Sequence, residues 1–227
     1  MILSRIIRKG DIHYAQPALI SVTQATEYGT AYTPAELKAI GDLAAANGLY
    51  FHVDGSRFFN AAAGLGCSLK AMSTDAGVDI LSLGGTKAGM MFGEAVVVFN
   101  PALKETLPYQ QKQAMQLHSK TRFIAAQFEA LLQDELWRRT ALHANQMATL
   151  LAKSLARFPQ VTITRPVMAN AVFATIPVAW NEALISRMPF YIWNEAMNEV
   201  RLMCAHDTDA EEIIQFTAEV QRLAGAG

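Results

Sequence analysis

Apolar and polar positions along this chain follow two rhythms. Short apolar runs at Ala18–Val22, Leu49–Val53 and Val78–Leu83 read as buried strands. Between the first two runs, Leu37, Ile40, Leu43 and Ala44 recur at helical spacing. Thr33-Pro34-Ala35-Glu36 is a helix start: threonine caps, proline takes the first turn where its missing N–H costs nothing, and glutamate closes a capping box. Asn47-Gly48 ends the same helix, because glycine accepts a left-handed cap. A second helical stretch carries the chain to the third run. This order predicts an α/β fold with a mostly parallel sheet. Glu94–Phe99 is a further strand, and the link Ala88–Gly93 is too short for a helical crossover. That strand should run antiparallel to its neighbour.

The pattern changes after Pro101. Thr121–Gln133 and Asp134–Phe158 have helical spacing, and Pro159 stops the second helix. Strand-like runs follow at Val161–Thr164, Ala171–Ile176, Phe190–Trp193 and Val200–Cys204. Thr208-Asp209-Ala210-Glu211 reads as a second capping box, opening a helix with Ile213, Phe216, Val220 and Leu223 on one face. This half reads as an α+β lobe packed on the first, since no linker rich in Pro, Gly and Ser separates them.

Composition narrows the class. The 227 residues are 52% hydrophobic and 17% charged, enough for a sizeable core, and the formal net charge of -1 gives no basic stripe for nucleic acid. No stretch approaches the ~18 apolar residues of a membrane span. Two cysteines, Cys67 and Cys204, have no metal spacing and suit a reducing compartment as small buried hydrophobes. A cytoplasmic protein without a membrane or nucleic-acid partner is expected.

The candidate chemistry lies just beyond two of the strands, in His52-Val53-Asp54-Gly55-Ser56-Arg57 and Ser82-Leu83-Gly84-Gly85-Thr86-Lys87. In an open parallel sheet, ligands bind beyond the carboxyl ends of the strands. Asp54, Arg57 and Lys87 would then share one rim. That set suits pyridoxal phosphate, which needs a lysine for its Schiff base and an acid beside its pyridine nitrogen. The small residues around Lys87 leave room for a flat cofactor, and the Thr86 hydroxyl could bond a phosphate. Arg57 could reach the cofactor's ring oxygen or a substrate carboxylate, which arginine pairs in a bidentate fashion. Taken singly, each segment also reads as an ordinary turn: a capping aspartate, a surface arginine, a lysine in a glycine-rich loop. His52 and Asp54 share a strand face as two metal ligands might, but no third ligand accompanies them.

These segments resemble the pyridoxal-phosphate-dependent L-threonine aldolases, within the aspartate-aminotransferase-like (fold type I) superfamily. His52–Arg57, with Phe59-Asn60-Ala61 after it, is similar to that family's His-x-Asp-Gly-Ala-Arg segment, with Ser56 in place of alanine. The resemblance implies that Asp54 pairs with the pyridine nitrogen, that Arg57 contacts the ring oxygen or substrate carboxylate, and that Lys87 is the Schiff-base lysine beside Thr86. Asp11–Ala15 resembles a segment whose histidine lies near the substrate hydroxyl, which gives that role to His13. Ser119–Arg122 resembles a stretch whose arginine reaches the cofactor phosphate of a neighbouring subunit, and implies the same for Arg122. Val200–Met203 resembles the segment whose arginine holds the substrate α-carboxylate, which implies Arg201.

The resemblance further implies a partial, mostly parallel sheet with helices on both faces, with residues 1–133 as the remainder of a large cofactor-binding domain and 134–227 as a small C-terminal α+β domain. It implies a homodimer or homotetramer acting on a threonine-like amino acid, with retro-aldol cleavage to glycine and acetaldehyde. Members of that family begin with a further stretch that carries a Gly-Thr phosphate loop and a stacking histidine. Neither has an equivalent before His13, so the chain is expected to be a fragment, a truncated reading frame or half of a split enzyme. The strands at Ala18 and Glu94 should then lack outer partners. Two other readings remain beside the aldolase: a different fold type I lyase that β-eliminates, and an inactive remnant.

Overall fold

The capping box forms as its residues require. Thr33 Oγ1 accepts from Glu36 N at 3.2 Å, while Glu36 Oε2 accepts from Thr33 N at 2.8 Å. These bonds satisfy donors that the first helical turn leaves without partners. Helix α1 (Pro34–Ala46) follows and ends at Asn47, with Gly48 at φ +66°. The computed structural model describes Ile2, Ser4 and residues 6–225.

Strands β1 (Leu19–Thr23), β2 (Tyr50–Gly55), β3 (Ile80–Gly84) and β4 (Glu94–Val98) form one sheet in the order β1-β2-β3-β4. The first three are parallel, with Thr23 opposite Asp54 and Asp54 opposite Ser82. Strand β4 returns antiparallel, as its short link predicts, with Glu94 opposite Gly84. Helix α2 (Phe58–Leu65) joins β2 to β3. Helices are expected on both faces of this sheet; among the described residues, the two crossover helices share one face. Two right-handed crossovers between sequential parallel strands put both helices on the same side. Phe51, Val53, Leu81 and Leu83 face them and are buried with Phe58, Phe59 and Leu37. Each large side chain there contributes about 2–3 kcal/mol by burial. The opposite face carries Tyr50, His52 and Asp54, and leaves Leu19 and Val96 exposed on the two edge strands.

Helix α3 (Leu107–Gln113) has almost no buried surface and has no counterpart in the predicted elements. Helix α4 (Arg122–Leu132) then meets α5 (Leu136–Leu155) at a sharp break, where Asp134 and Glu135 both have positive φ. The first turns of α5 join the core of the four-stranded sheet through Trp137 and Ala141; its later turns join a second core through Leu151 and Leu155. That second core lies under an antiparallel sheet in the order β5-β6-β8-β7: β5 (Thr162–Ile163), β6 (Ala171–Thr175), β7 (Tyr191–Asn194) and β8 (Glu199–Met203). Helix α6 (Asn181–Arg187) and helix α7 (Ala210–Gly225) complete it.

The start of α7 corrects one expectation. Thr208 Oγ1 accepts from Ala205 N, while Asp209 Oδ1 accepts from Glu211 N and Glu212 Oε2 accepts from Asp209 N. The box is therefore Asp209 with Glu212, one residue later than Thr208 with Glu211. Either side chain could cap, and the turn at 205–208 claims the threonine hydroxyl first. No helix among the described residues is long and apolar enough to cross a membrane.

Two contacts lock the halves together. Asn145 on α5 donates to the backbone oxygen of Asn60 on α2 at 2.9 Å, and Asn60 Nδ2 donates to Asn145 Oδ1 at 3.2 Å, both buried. The loop between β1 and α1 reaches the second sheet. Gln24, fully buried, closes that loop by donating to Tyr32 O and accepting from Tyr32 N. Gly29, at φ +71°, lets the loop press on β6, where a Cβ would stand 2.9 Å from that of Ala171.

Candidate active site

The rim forms where β2 and β3 end side by side. Asp54 is the last outward-facing residue of β2; its Oδ1 accepts from Ser56 N at 3.2 Å, and its backbone oxygen accepts from Gln24 N at 2.8 Å. Its remaining carboxylate oxygen has no partner among the described residues. Arg57 begins α2. The turn after β3 is held against this loop with no spare room: a Cβ on Gly84 would lie 2.6–2.9 Å from three backbone atoms of Ser56. Lys87 follows in a short 3-10 turn, Thr86–Ala88, exposed and without an ion pair among the described residues. The two segments singled out in the sequence therefore touch.

Thr86 has a local task. Its hydroxyl accepts from Gly93 N at 3.0 Å and approaches Gly93 O at 3.4 Å, closing the 86–93 loop on itself. Beneath the rim, on the same sheet face as Asp54, His52 bridges three strands. Its Nδ1 lies 2.7 Å from Ser21 Oγ and its Nε2 lies 3.0 Å from Ser82 Oγ. Burial pushes the His52 pKa down, against the pull of Asp54.

The second sheet contributes Arg201. On β8 it stands opposite Phe173 of β6 and Tyr191 of β7, with its guanidinium 4.6 Å from the Trp193 ring centre. It is 15% exposed and pairs with Glu27 of the β1–α1 loop at 3.6 Å. Arg57 faces the same pair: its pKa is lowered by burial first and by Arg201 second, with Glu27 opposing. Both Arg57 Nε and Arg201 Nε are buried without a hydrogen-bond partner among the described residues. An unsatisfied buried donor costs about 1–3 kcal/mol. Two of them on neighbouring cations call for a small anion with several acceptor atoms, as a carboxylate or a cofactor's phenolic oxygen would supply.

Arg57, Arg201 and Glu27 thus come together from the two halves of the chain, and the segments that carry Asp54 and Lys87 touch at Ser56 and Gly84. His13 and Arg122 are not brought there by any described contact. His13 lies on a turn six residues before β1; its backbone N–H donates to Asp11, and its ring is exposed. Arg122 opens α4 exposed, with its guanidinium over the Phe123 ring. Two residues enter that sequence reasoning did not single out. Glu27 stands in a polar loop with no local pattern, and only the ion pair across 174 positions marks it. His206 packs against the Lys87 turn: a Cβ on Gly89 would lie 3.3 Å from its ring.

Known proteins resemble this chain in sequence and in fold. The sequence pattern of the beta-eliminating lyase family matches residues 2–179. The chain is 45% identical over 220 residues to the low specificity L-threonine aldolase of Pseudomonas aeruginosa, and 41% identical to that of a Pseudomonas species. Each match covers 97% of this chain and 64% of the relative, so the chain spans about two thirds of the length of these curated proteins. Among solved structures, a threonine aldolase of Leishmania major superposes with a TM-score of 0.90 at 29% identity, over 98% of this chain and 66% of that one. A PLP-dependent aminotransferase from Streptococcus suis, at 17% identity and a TM-score of 0.71, covers 99% of this chain and 60% of its own, and shares the fold.

Proposed function

The chain belongs to the beta-eliminating lyase family, and from that premise we propose that it serves a pyridoxal-phosphate lyase which cleaves L-threonine or L-allo-threonine to glycine and acetaldehyde. The names of its Pseudomonas relatives point to this activity. The observation that carries it here is the pair of buried guanidinium nitrogens on Arg57 and Arg201 that have no partner among the described residues.

The residues fit the cofactor's ring. The free oxygen of Asp54 could accept the pyridine N–H, the exposed amine of Lys87 could hold the aldehyde carbon, and Arg57 could donate Nε–H to the ring oxygen or, together with Arg201, to the substrate carboxylate. When bound, the cofactor supplies an electron sink for the bond being broken. Asp54 keeps that sink charged by holding the proton on the ring nitrogen. Arg201, flanked by Trp193, would hold the substrate α-carboxylate and so orient the substrate. A base takes the β-hydroxyl proton, the Cα–Cβ bond breaks, and acetaldehyde leaves. His13 is the candidate base by resemblance, its exposed ring being free to accept the proton. Thr86 and Arg122 are the candidate phosphate contacts, Arg122 toward a neighbouring subunit. The apolar side chains of Met91, Tyr109, Met115 and Phe123, all exposed along this part of the chain, favour a homodimer or homotetramer. Two free cysteines favour a cytoplasmic setting.

The test is borohydride reduction after incubation with pyridoxal phosphate, followed by peptide mass spectrometry, alongside acetaldehyde release from L-threonine. The pyridoxyl group should sit on Lys87, and Lys87→Ala should lose both signals. An adduct on another lysine, or acetaldehyde release undiminished in Lys87→Ala, would overturn the assignment. Pyruvate from a β-substituted alanine in place of acetaldehyde would move the reading to β-elimination.

A further inference from the structure

We propose that Glu27 is a specificity-determining residue that excludes amino acids with a second carboxylate from this site. The proposal rests on the reading of Arg201 and Arg57 as the carboxylate-binding pair.

Charge balance carries the argument. The Arg57 and Arg201 guanidiniums act on each other from the two halves of the chain, and the Glu27 carboxylate lies 3.6 Å from Arg201. Glu27 also acts favourably on Arg57, while the two arginines oppose each other. The cluster therefore holds two positive charges and one negative. One α-carboxylate neutralises it. A ligand with another carboxylate nearby leaves an excess negative charge beside Glu27, where like charges at close range are disfavoured.

The geometry fits an acid that tunes the site without filling it. Glu27 is 62% exposed and Arg201 is 15% exposed, so the acid approaches from the solvent side. It leaves Arg201 Nε and Arg57 Nε unpartnered. Its loop is rigid: Gln24 ties the base, and Thr26 and Thr30 pair across the tip, with hydroxyls 2.7 Å apart. Tyr28, next in the chain, packs on Phe173 and Trp193 with ring centres 5.9 Å away in each case. The backbone that carries Glu27 is thereby anchored beside Arg201. Discrimination built from an unfavourable contact needs such a fixed group.

Acetate and succinate are suitable probes, titrated into the full chain at constant ionic strength so that screening does not differ. The Nε–H resonances of Arg57 and Arg201 report binding, assigned through Arg57→Lys and Arg201→Lys. The expected result is that Glu27→Gln strengthens succinate binding about tenfold and acetate binding less than about threefold, from one removed charge near two negative ones. Glu27→Asp should keep the preference of the unaltered chain. Glu27 is exposed enough that neither change should disturb folding. An unchanged succinate-to-acetate ratio in Glu27→Gln, with both ligands still moving the arginine resonances, overturns the role of Glu27. Arginine resonances unmoved by either ligand in any form overturn the underlying carboxylate site instead.

Discussion

Substituting Gly84 by alanine tests whether the two rim segments depend on each other. The added Cβ would lie 2.6, 2.7 and 2.9 Å from Ser56 O, Cα and C. Relaxed carbon contacts lie at about 3.5–4.0 Å, so the β3 turn and the Asp54–Arg57 loop must separate by roughly 1 Å. Neither side can yield by rotating a side chain, because all three obstructing atoms are backbone. Overpacking of this kind costs typically 1–3 kcal/mol, and the backbone contact puts Gly84→Ala near about 3 kcal/mol. For a chain of this size that lowers the melting temperature by about 6–12 °C. The same displacement moves Lys87 from Asp54 and Arg57, and a misplacement near 1 Å costs about a hundredfold in rate. Thermal unfolding followed by circular dichroism measures the first effect, and the yield of borohydride-trapped cofactor on Lys87 the second. Gly225→Ala, where nothing lies within 4 Å, is the matched control. A Gly84→Ala protein that melts within 2 °C of the unaltered chain and traps the cofactor equally would refute the close packing of the rim.

Asn145→Ala should cost about 3 kcal/mol, because it strands the buried Asn60 amide and carbonyl together; a urea-derived loss below about 1 kcal/mol would show that the amide pair does not lock α2 to α5. His52 has a folded-state pKa below its ordinary 6.5, so the unfolded chain binds the proton more readily. Its contribution is fully present above pH 6.5 and is lost as pH falls through the folded value. The stability difference between the unaltered chain and His52→Asn should therefore shrink from pH 8 toward pH 5. A difference that stays constant with pH would sink that account of the Ser21–His52–Ser82 bridge.

Much of this fold is legible in the chain because its signals are local. The box at Thr33 and Glu36, the stop at Gly48 and the short link that turns β4 antiparallel each depend on a few neighbouring residues, and each appears where the pattern predicts. The box at α7 slips by one residue because two adjacent side chains could serve, and a bond from Ala205 decides between them. Helix α3 escapes notice because it carries little apolar periodicity and buries almost nothing. The shared edge of β2 and β3 was legible because strand ends in a parallel sheet lie together, whatever the loops between them contain.

Sequence alone determined the strand order, the rim and the residue types that chemistry needs there, since these follow from short-range pattern and the handedness of crossovers. Tertiary structure decided which charges meet. Arg201 stands 144 positions from Arg57 and 174 from Glu27, and no spacing rule connects them. Their encounter depends on the second sheet docking against the β1–α1 loop through Gly29, Tyr28 and Phe173. Electrostatic interactions act through space and burial rather than along the chain, so the pattern could nominate each ion but only the folded packing could pair them.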